Sequence, residues 1–176
     1  SAVTGGGLNS DVYALAVLGG NLYVGGYFTQ TFDGSTTDLN RIARYDIAAT
    51  NWSALAENGL NYTVSALAAA GSDLYVGGSF SRSVANPVPL RNIARYDIAT
   101  DAWSSVANDG LNNRVNSLVL ADNFLFVNGD FARTADNTIN LDRLARYDTT
   151  DSTWSAITGE ADIYASAVMS RAILRS

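Results

Sequence analysis

Three Arg-x-Asp pairs, Arg44 with Asp46, Arg95 with Asp97 and Arg146 with Asp148, stand out among the residues whose types and spacing could do chemistry. A two-residue offset puts both members of a pair on one face of a strand. Their recurrence at regular intervals marks a structural ion-pair or hydrogen-bond network tying strands or units together rather than a ligand site. Acid–base hydrolysis of a glycoside needs two carboxylates; Glu occurs only as Glu57 and Glu160, and such a pair must otherwise come from Asp. Asp130, Asp136, Asn137 and Asp142 share one segment and could converge on a hard cation, but no Asp-x-Asp-x-Asp-Gly loop is present, and scattered surface carboxylates are the reading adopted. No metal and no cofactor is assigned.

What is missing narrows the chemistry further. The 176 residues contain no His and no Cys, and all 11 basic residues are Arg. Imidazole general bases, thiolate metal sites, disulfides and Schiff-base lysines are therefore excluded. No catalytic residue is assigned and the chain is expected not to be an enzyme. A net charge of −6 with singly scattered Arg argues against nucleic acid, which demands clustered positive charge. No run approaches the ~18 apolar residues of a membrane span. The sequence opens without Met or a signal-peptide pattern, and with no Cys it is expected to be extracellular or at the cell surface. Asn51-Trp52-Ser53 and Asn61-Tyr62-Thr63 match the glycosylation sequon, a motif frequent by chance.

The elements that would carry any site come from an internal repeat. Gly7-Leu8-Asn9 recurs as Gly59-Leu60-Asn61 and Gly110-Leu111-Asn112, at spacings of 52 and 51 residues. Four strand-like segments follow in the same order in each unit: Val12 to Val17, Leu22 to Gly26, Ile42 to Asp46, and Trp52 to Leu55 in the first. Each is bounded by Gly, Asn, Asp or Ser clusters, and none has a helical period. Four strands per unit of about 50 residues is the signature of an all-β propeller, whose sheets must stack on one another to bury their faces. Small residues in the first strand (Ala14, Ala16, Ala66, Ala68, Ser117) suit crowding near an axis. Tyr45, Tyr96 and Tyr147, with Trp52, Trp103 and Trp154, are expected to fill the outer seams. The Gly pair closing the second strand becomes Asn128-Gly129 in the third unit, which predicts a left-handed backbone at positions 25, 77 and 128.

An apolar run closed by Gly-Gly, then a Tyr, then a Trp after six intervening residues, resembles the kelch family of propellers over essentially the whole chain. The resemblance implies four-stranded antiparallel blades, and kelch-like propellers serve many unrelated functions. The copper chemistry known among kelch-type propellers has no counterpart here, because its His and Cys ligands are missing.

The units place the end of a preceding blade at 1–6, blades at 7–58, 59–109 and 110–158, and the start of a fourth at 159–176, with a first strand over Ile163 to Val168. About three and a half blades leave a ring open within one chain. A second copy making a homo-oligomer, or the remainder of a longer chain, is expected to complete it; a four-bladed monomer fits less well. Alternating strand direction puts the loops after the second and fourth strands on one face, where the second-to-third connections diverge between units. That face holds the candidate ligand-binding residues Phe32, Asp33, Asp38, Tyr62, Arg82, Asn113, Arg114, Arg133, Asp136 and Asp142, with Asn9, Asn61 and Asn112 beside them. The expected role is a binding or structural module presenting variable loops to a protein or glycan. The alternatives are the scaffold of a larger carbohydrate-active enzyme whose catalytic residues lie elsewhere, and assembly into filaments through open blade faces.

Overall fold

Short runs of β-branched and aromatic residues, cut by turn clusters, pair most readily with their neighbours in sequence. Each unit folds in this way. The computed structural model describes residues 3–157 and holds three four-stranded antiparallel sheets, each a simple meander. Blade 1 is β1 (Val12–Leu18), β2 (Asn21–Gly26), β3 (Ile42–Asp46) and β4 (Asn51–Ala54). Blade 2 is β5 (Val64–Ala70), β6 (Asp73–Gly78), β7 (Ile93–Asp97) and β8 (Ala102–Ser105). Blade 3 is β9 (Val115–Ala121), β10 (Phe124–Gly129), β11 (Leu144–Asp148) and β12 (Thr153–Ala156). The first strand of each blade is innermost, β1 packs on β5 and β5 on β9, and the described residues form an open arc rather than a closed ring. No helix among them is long and apolar enough to cross a membrane. The fourth-blade strand expected over Ile163 to Val168 lies outside the described residues.

The core sits largely in the seams between blades, where Tyr96 with Trp103 and Tyr147 with Trp154 are the expected wedges, while Tyr45 and Trp52 pack against residues of blade 1 itself. Tyr45, Tyr96 and Tyr147 each tilt against Trp52, Trp103 and Trp154 of the neighbouring strand, with centroids 4.9 Å apart. Tyr96 also meets Tyr23 of blade 1 edge-to-face at 6.4 Å, and Tyr147 meets Tyr75 of blade 2 at 6.2 Å. Such pairs contribute about 0.5–1.5 kcal/mol beyond their burial. Each indole N–H donates to a carbonyl in the segment that leads into its own blade: Trp52 to Thr4, Trp103 to Ala56 and Trp154 to Ala107, at 2.9, 2.9 and 3.0 Å. One side chain thus ties the outer strand back to the start of its repeat.

One expectation needs correction and another gains its partners. Gly25, Gly77 and Asn128 are not left-handed; none of them has positive φ. The reason for glycine is proximity between blades. A Cβ at Gly25 would lie 2.4 Å from Val64 Cγ1, and one at Gly77 would lie 2.5 Å from Val115 Cγ1. The Arg-x-Asp pairs also divide. Asp46, Asp97 and Asp148 each accept two backbone N–H bonds from the turn that follows, as Asp97 does from Ala99 and Thr100 at 2.9 and 3.1 Å. Those bonds, led by Thr100, hold the Asp97 carboxyl below the ordinary carboxylate range. Arg44 and Arg146 instead donate across to Ser53 and Ser155 on the fourth strand. Arg95 pairs with Asp73 at 2.7 Å and only distantly, at 3.7 Å, with Asp97. The network ties strands as expected, but through other partners.

Candidate functional site

The loop face is built on a repeated clamp. The Asn of each Gly-Leu-Asn triplet turns its Oδ1 toward the long second-to-third loop. Asn9 accepts from the N–H groups of Thr29 and Gln30, Asn61 from Ser81 and Arg82, and Asn112 from Ala132 and Arg133. Leu60 and Leu111 beside them are fully buried. These asparagines fix the loops through Oδ1.

A second clamp closes each long loop on itself. Thr31, Ser83 and Thr134 are buried hydroxyls at one repeated position, each accepting a backbone N–H five residues on, from Thr36, Val88 and Ile139. Two of them donate to candidate carboxylates, Thr31 to Asp33 and Thr134 to Asp136. Asp33 also accepts the Ser35 N–H; Asp136 accepts from Asn108 Nδ2 and from the N–H and hydroxyl of Thr138. Both carboxyls are held below the ordinary range by these donors, Asp136 the more strongly and through Thr134 first. They are loop staples. A group with a lowered folded-state pKa stabilises above its unfolded pKa and loses that contribution as pH falls through the folded value. We expect Asp136→Ala to be less stable than the parent near neutrality, with the gap closing progressively below about pH 4, as urea unfolding at several pH values will read.

The other candidates are spread along the rim. Phe32 is exposed. Asp38 and Asp142 occupy positive-φ turn positions ahead of the third strand, with Thr37 donating to Asp38. Arg82 and Arg133 bridge across their own loops to Pro89 and Asn140 by backbone pairing, leaving their side chains at the surface. Asp130 is taken by Arg114 at 2.8 Å, so it and Asp136 have protein partners of their own. Among the described residues no group of three or more acidic side chains is placed to hold a metal ion.

Tyr62 and Arg114 line a concavity, and Asn113 adjoins Arg114 in sequence. A groove of about 460 Å³ near the inner strands is lined by Tyr13, Tyr62, Thr63, Ser65, Ser79, Arg114 and Asn116. Tyr13, Tyr27 and Tyr62 are each about half exposed, although most large aromatics among the described residues are buried. Tyr27 meets Tyr62 edge-to-face at 6.3 Å, and the Arg41 guanidinium lies over the Tyr27 ring at 5.2 Å. The Tyr13 hydroxyl donates to Asp11, which raises its pKa and keeps it a neutral phenol. The result is a cluster of three rings whose positive neighbours, Arg41 and Arg114, are respectively stacked and ion-paired.

Sequence reasoning placed Tyr62 and Arg114 here but missed Tyr13, Tyr27 and Arg41. The signal was departure from the repeat. Tyr13 stands where the other units have Ser65 and Asn116, Tyr27 where they have Ser79 and Asp130, and Tyr62 where they have Ser10 and Asn113. Two narrower clefts, of about 290 and 250 Å³, follow the seam between blades 2 and 3, and there Arg95 Nε lies 2.7 Å from Asp73 Oδ2 while the buried Asp73 Oδ1 has no hydrogen-bond partner among the described residues.

Comparison with known proteins agrees with this architecture. A family model described as the Rax2 C-terminal beta propeller domain matches residues 42–171. No curated protein matches the sequence. Among solved structures, the chain is similar to the extracellular domain of a protein described as a one component system from B. thetaiotaomicron, with 19% identity and a TM-score of 0.52. That likeness covers 86% of this chain but 17% of the other, so the chain spans about one-sixth of that protein's length, and at this identity it speaks to the fold alone.

Proposed function

The chain belongs to the family of Rax2 C-terminal β-propeller domains, and from that premise we propose that it is a non-enzymatic recognition module, working outside the cell, whose ligand is a neutral glycan. The kelch-like succession of Gly-Gly, Tyr and Trp is, in this reading, the structural grammar of the blades and has no part in binding. The observation that carries the reading is the tyrosine-rimmed groove. Propeller blades can be built with small polar residues at these positions, as blade 3 is, yet blades 1 and 2 leave three half-exposed rings there.

A tyrosine offers an electron-rich face to the C–H side of a sugar ring and a hydroxyl to its rim, with few rotors to freeze. Thr63, Ser65, Ser79, Asn116 and Arg114 line the same groove with donors and acceptors matched to sugar hydroxyls, and its volume falls in the range of small-ligand sites. Ion pairing of Arg114 with Asp130 leaves little net positive charge, which favours a neutral over an acidic sugar. No catalysis is assigned: the carboxylates beside the groove, Asp11 and Asp130, are engaged by Tyr13 and Arg114 rather than held apart as an acid–base pair.

Screening the chain against an array of neutral oligosaccharides, followed by titration calorimetry on the best of them, tests this. Tyr62→Ala should weaken binding by about tenfold or more, since truncating one central aromatic anchor commonly costs 2 kcal/mol or above. The thermal midpoint should stay close to the parent's, because Tyr62 is not in the core. Retained affinity in Tyr62→Ala, or an array without a neutral glycan hit, would reject the glycan reading, and a protein ligand captured through the same tyrosines would replace it.

A further inference from the structure

The seam between blades 1 and 2 and the seam between blades 2 and 3 are lined by equivalent positions, but blade 3 brings two smaller side chains to its seam. In the first seam Ile98 lays its Cδ1 on the turn between β1 and β2, 3.2 Å from where a Cβ on Gly19 would be. Asp101, in the turn between β7 and β8, accepts the Tyr96 hydroxyl and, at 3.3 Å, the Ala56 N–H. In the second seam Thr149 stands for Ile98 and Ser152 for Asp101. The backbone is the same: φ is 53° at Asp101 and 56° at Ser152, 58° at Gly19 and 61° at Gly71. The space is not. A Cβ on Gly71 would meet nothing within 4 Å, and Thr149 turns its hydroxyl back to the Asn123 carbonyl of its own blade. The Ala107 N–H and the Tyr147 hydroxyl correspond to the two donors held by Asp101, and they find no acceptor among the described residues. The clefts of about 290 and 250 Å³ lie at these two places and share Asp73, Tyr75 and Thr149.

We propose that the second seam is a further ligand site, on the face opposite the long loops, and that it takes a small neutral aliphatic amide. The side chains missing from it describe the ligand. A short branched alkyl group fills the space over Gly71, beside Ala70 and Leu120, as Ile98 fills the space over Gly19. A carbonyl oxygen takes the place of the Asp101 carboxylate and accepts from the Ala107 N–H and the Tyr147 hydroxyl. Tyr75 and Tyr147 are 3% and 4% exposed, so their rings are fixed walls. Burial pushes the Tyr75 phenol up to about 12, and it remains a donor at neutral pH. Charge decides between an amide and an acid. Asn21 of the first seam stands where the second has Asp73, so the carboxylate has changed sides rather than gone. Asp73 already lies 2.7 Å from Arg95, and a second carboxylate in the cleft would be a desolvated charge without a partner. An amide adds no charge, and its N–H has an acceptor in Asp73, whose Oδ1 is unpaired.

Isovaleramide carries both features and is the probe. Titrated into the isotopically labelled chain, it should move the amide resonances of Gly71, Ala107 and Ser152 along one saturable curve, at the weak affinity that so few atoms allow. Isovalerate, the same skeleton with a charge, should bind roughly tenfold less tightly or worse. Asp73→Asn, Thr149→Ile and Ser152→Asp together give the second seam the lining of the first, a combination this chain already folds around, and should abolish saturable binding. The reciprocal variant, Asn21→Asp with Ile98→Thr and Asp101→Ser, should acquire a second site, with Gly19 and Ala56 now shifting and the stoichiometry rising from one to two. Shifts that stay linear up to the solubility of isovaleramide, that persist in the first variant, or that fall only on Tyr62 and Arg114 of the tyrosine groove overturn the site. A stoichiometry that stays at one in the reciprocal variant overturns the argument from the missing side chains. Equal affinity for isovalerate overturns the choice of a neutral ligand.

Discussion

Trp103→Ala is expected to destabilise the chain by about 3–5 kcal/mol, a loss comparable to the whole stability of many domains. Trp103 is 7% exposed, lies 4.9 Å from the Tyr96 ring and donates its indole N–H to the Ala56 carbonyl. Truncation removes the packing, breaks a pair shared by β7 and β8, and takes one of two donors from the Ala56 carbonyl at the entrance to blade 2. Trp103→Phe separates these contributions. It keeps much of the apolar contact and deletes the donor, so it should cost less, with about 0.5–1.5 kcal/mol arising from the lost hydrogen bond, since the Ala56 carbonyl still accepts the Gly59 N–H. Guanidinium unfolding followed by circular dichroism measures both. An equal loss in the two variants would show that the hydrogen bond, rather than the ring, dominates. A Trp103→Ala chain within 1 kcal/mol of the parent would contradict the wedge role altogether.

The second large effect is expected at Gly77. Gly77→Ala places a methyl 2.5 Å from Val115 Cγ1 and 3.0 Å from Val115 Cβ, against a valine that is itself fully buried. Overpacking of this kind costs about 1–3 kcal/mol and can exceed that where neither side yields. Because the backbone at Gly77 has no positive φ, conformational strain does not contribute, and the whole penalty should come from the seam. That makes the effect reversible by design. Val115→Ala alone should cost a cavity, whereas Gly77→Ala with Val115→Ala should cost less than the sum of the single changes, a coupling of 0.5–3 kcal/mol being typical of touching residues. Additive losses would mean that the clash relaxes by another route. Asn128→Ala, at the exposed equivalent in blade 3, should be close to neutral.

These two positions also show what could be seen in the amino acids and what could not. The tandem pattern carried strand order, meander topology and the seam position of the Tyr and Trp rings, because each unit repeats its apolar runs and turn clusters at nearly fixed spacing. It did not carry the reason for Gly25 and Gly77. A glycine that relieves a backbone and a glycine that admits a neighbour's side chain look the same in one dimension, and only the position of Val64 and Val115 separates them. For the Arg-x-Asp pairs a structural network tying strands was legible, but its partners were not: the turn after each Asp offers two N–H groups to the carboxylate, and Arg44 and Arg146 reach a serine on the next strand. On the loop face, charged residues drew the eye, and Asp33 and Asp136 proved to be consumed by their own loops. Tyr62 was legible from its place on the loop face, but Tyr13 and Tyr27 were visible only as exceptions to the repeat, which requires comparing units with one another rather than scanning for reactive types.

The indole bonds carry a mechanical consequence. Each joins a residue in the last strand of a blade to a carbonyl 47 or 48 positions upstream, at the entrance to that same blade. Tension applied along the polypeptide would therefore bypass the meander and fall on this latch until it parts. Its release would free about 47 residues together, roughly 160 Å of slack at full extension. A chain built this way gives under load in equal steps, one per repeat, rather than unravelling strand by strand.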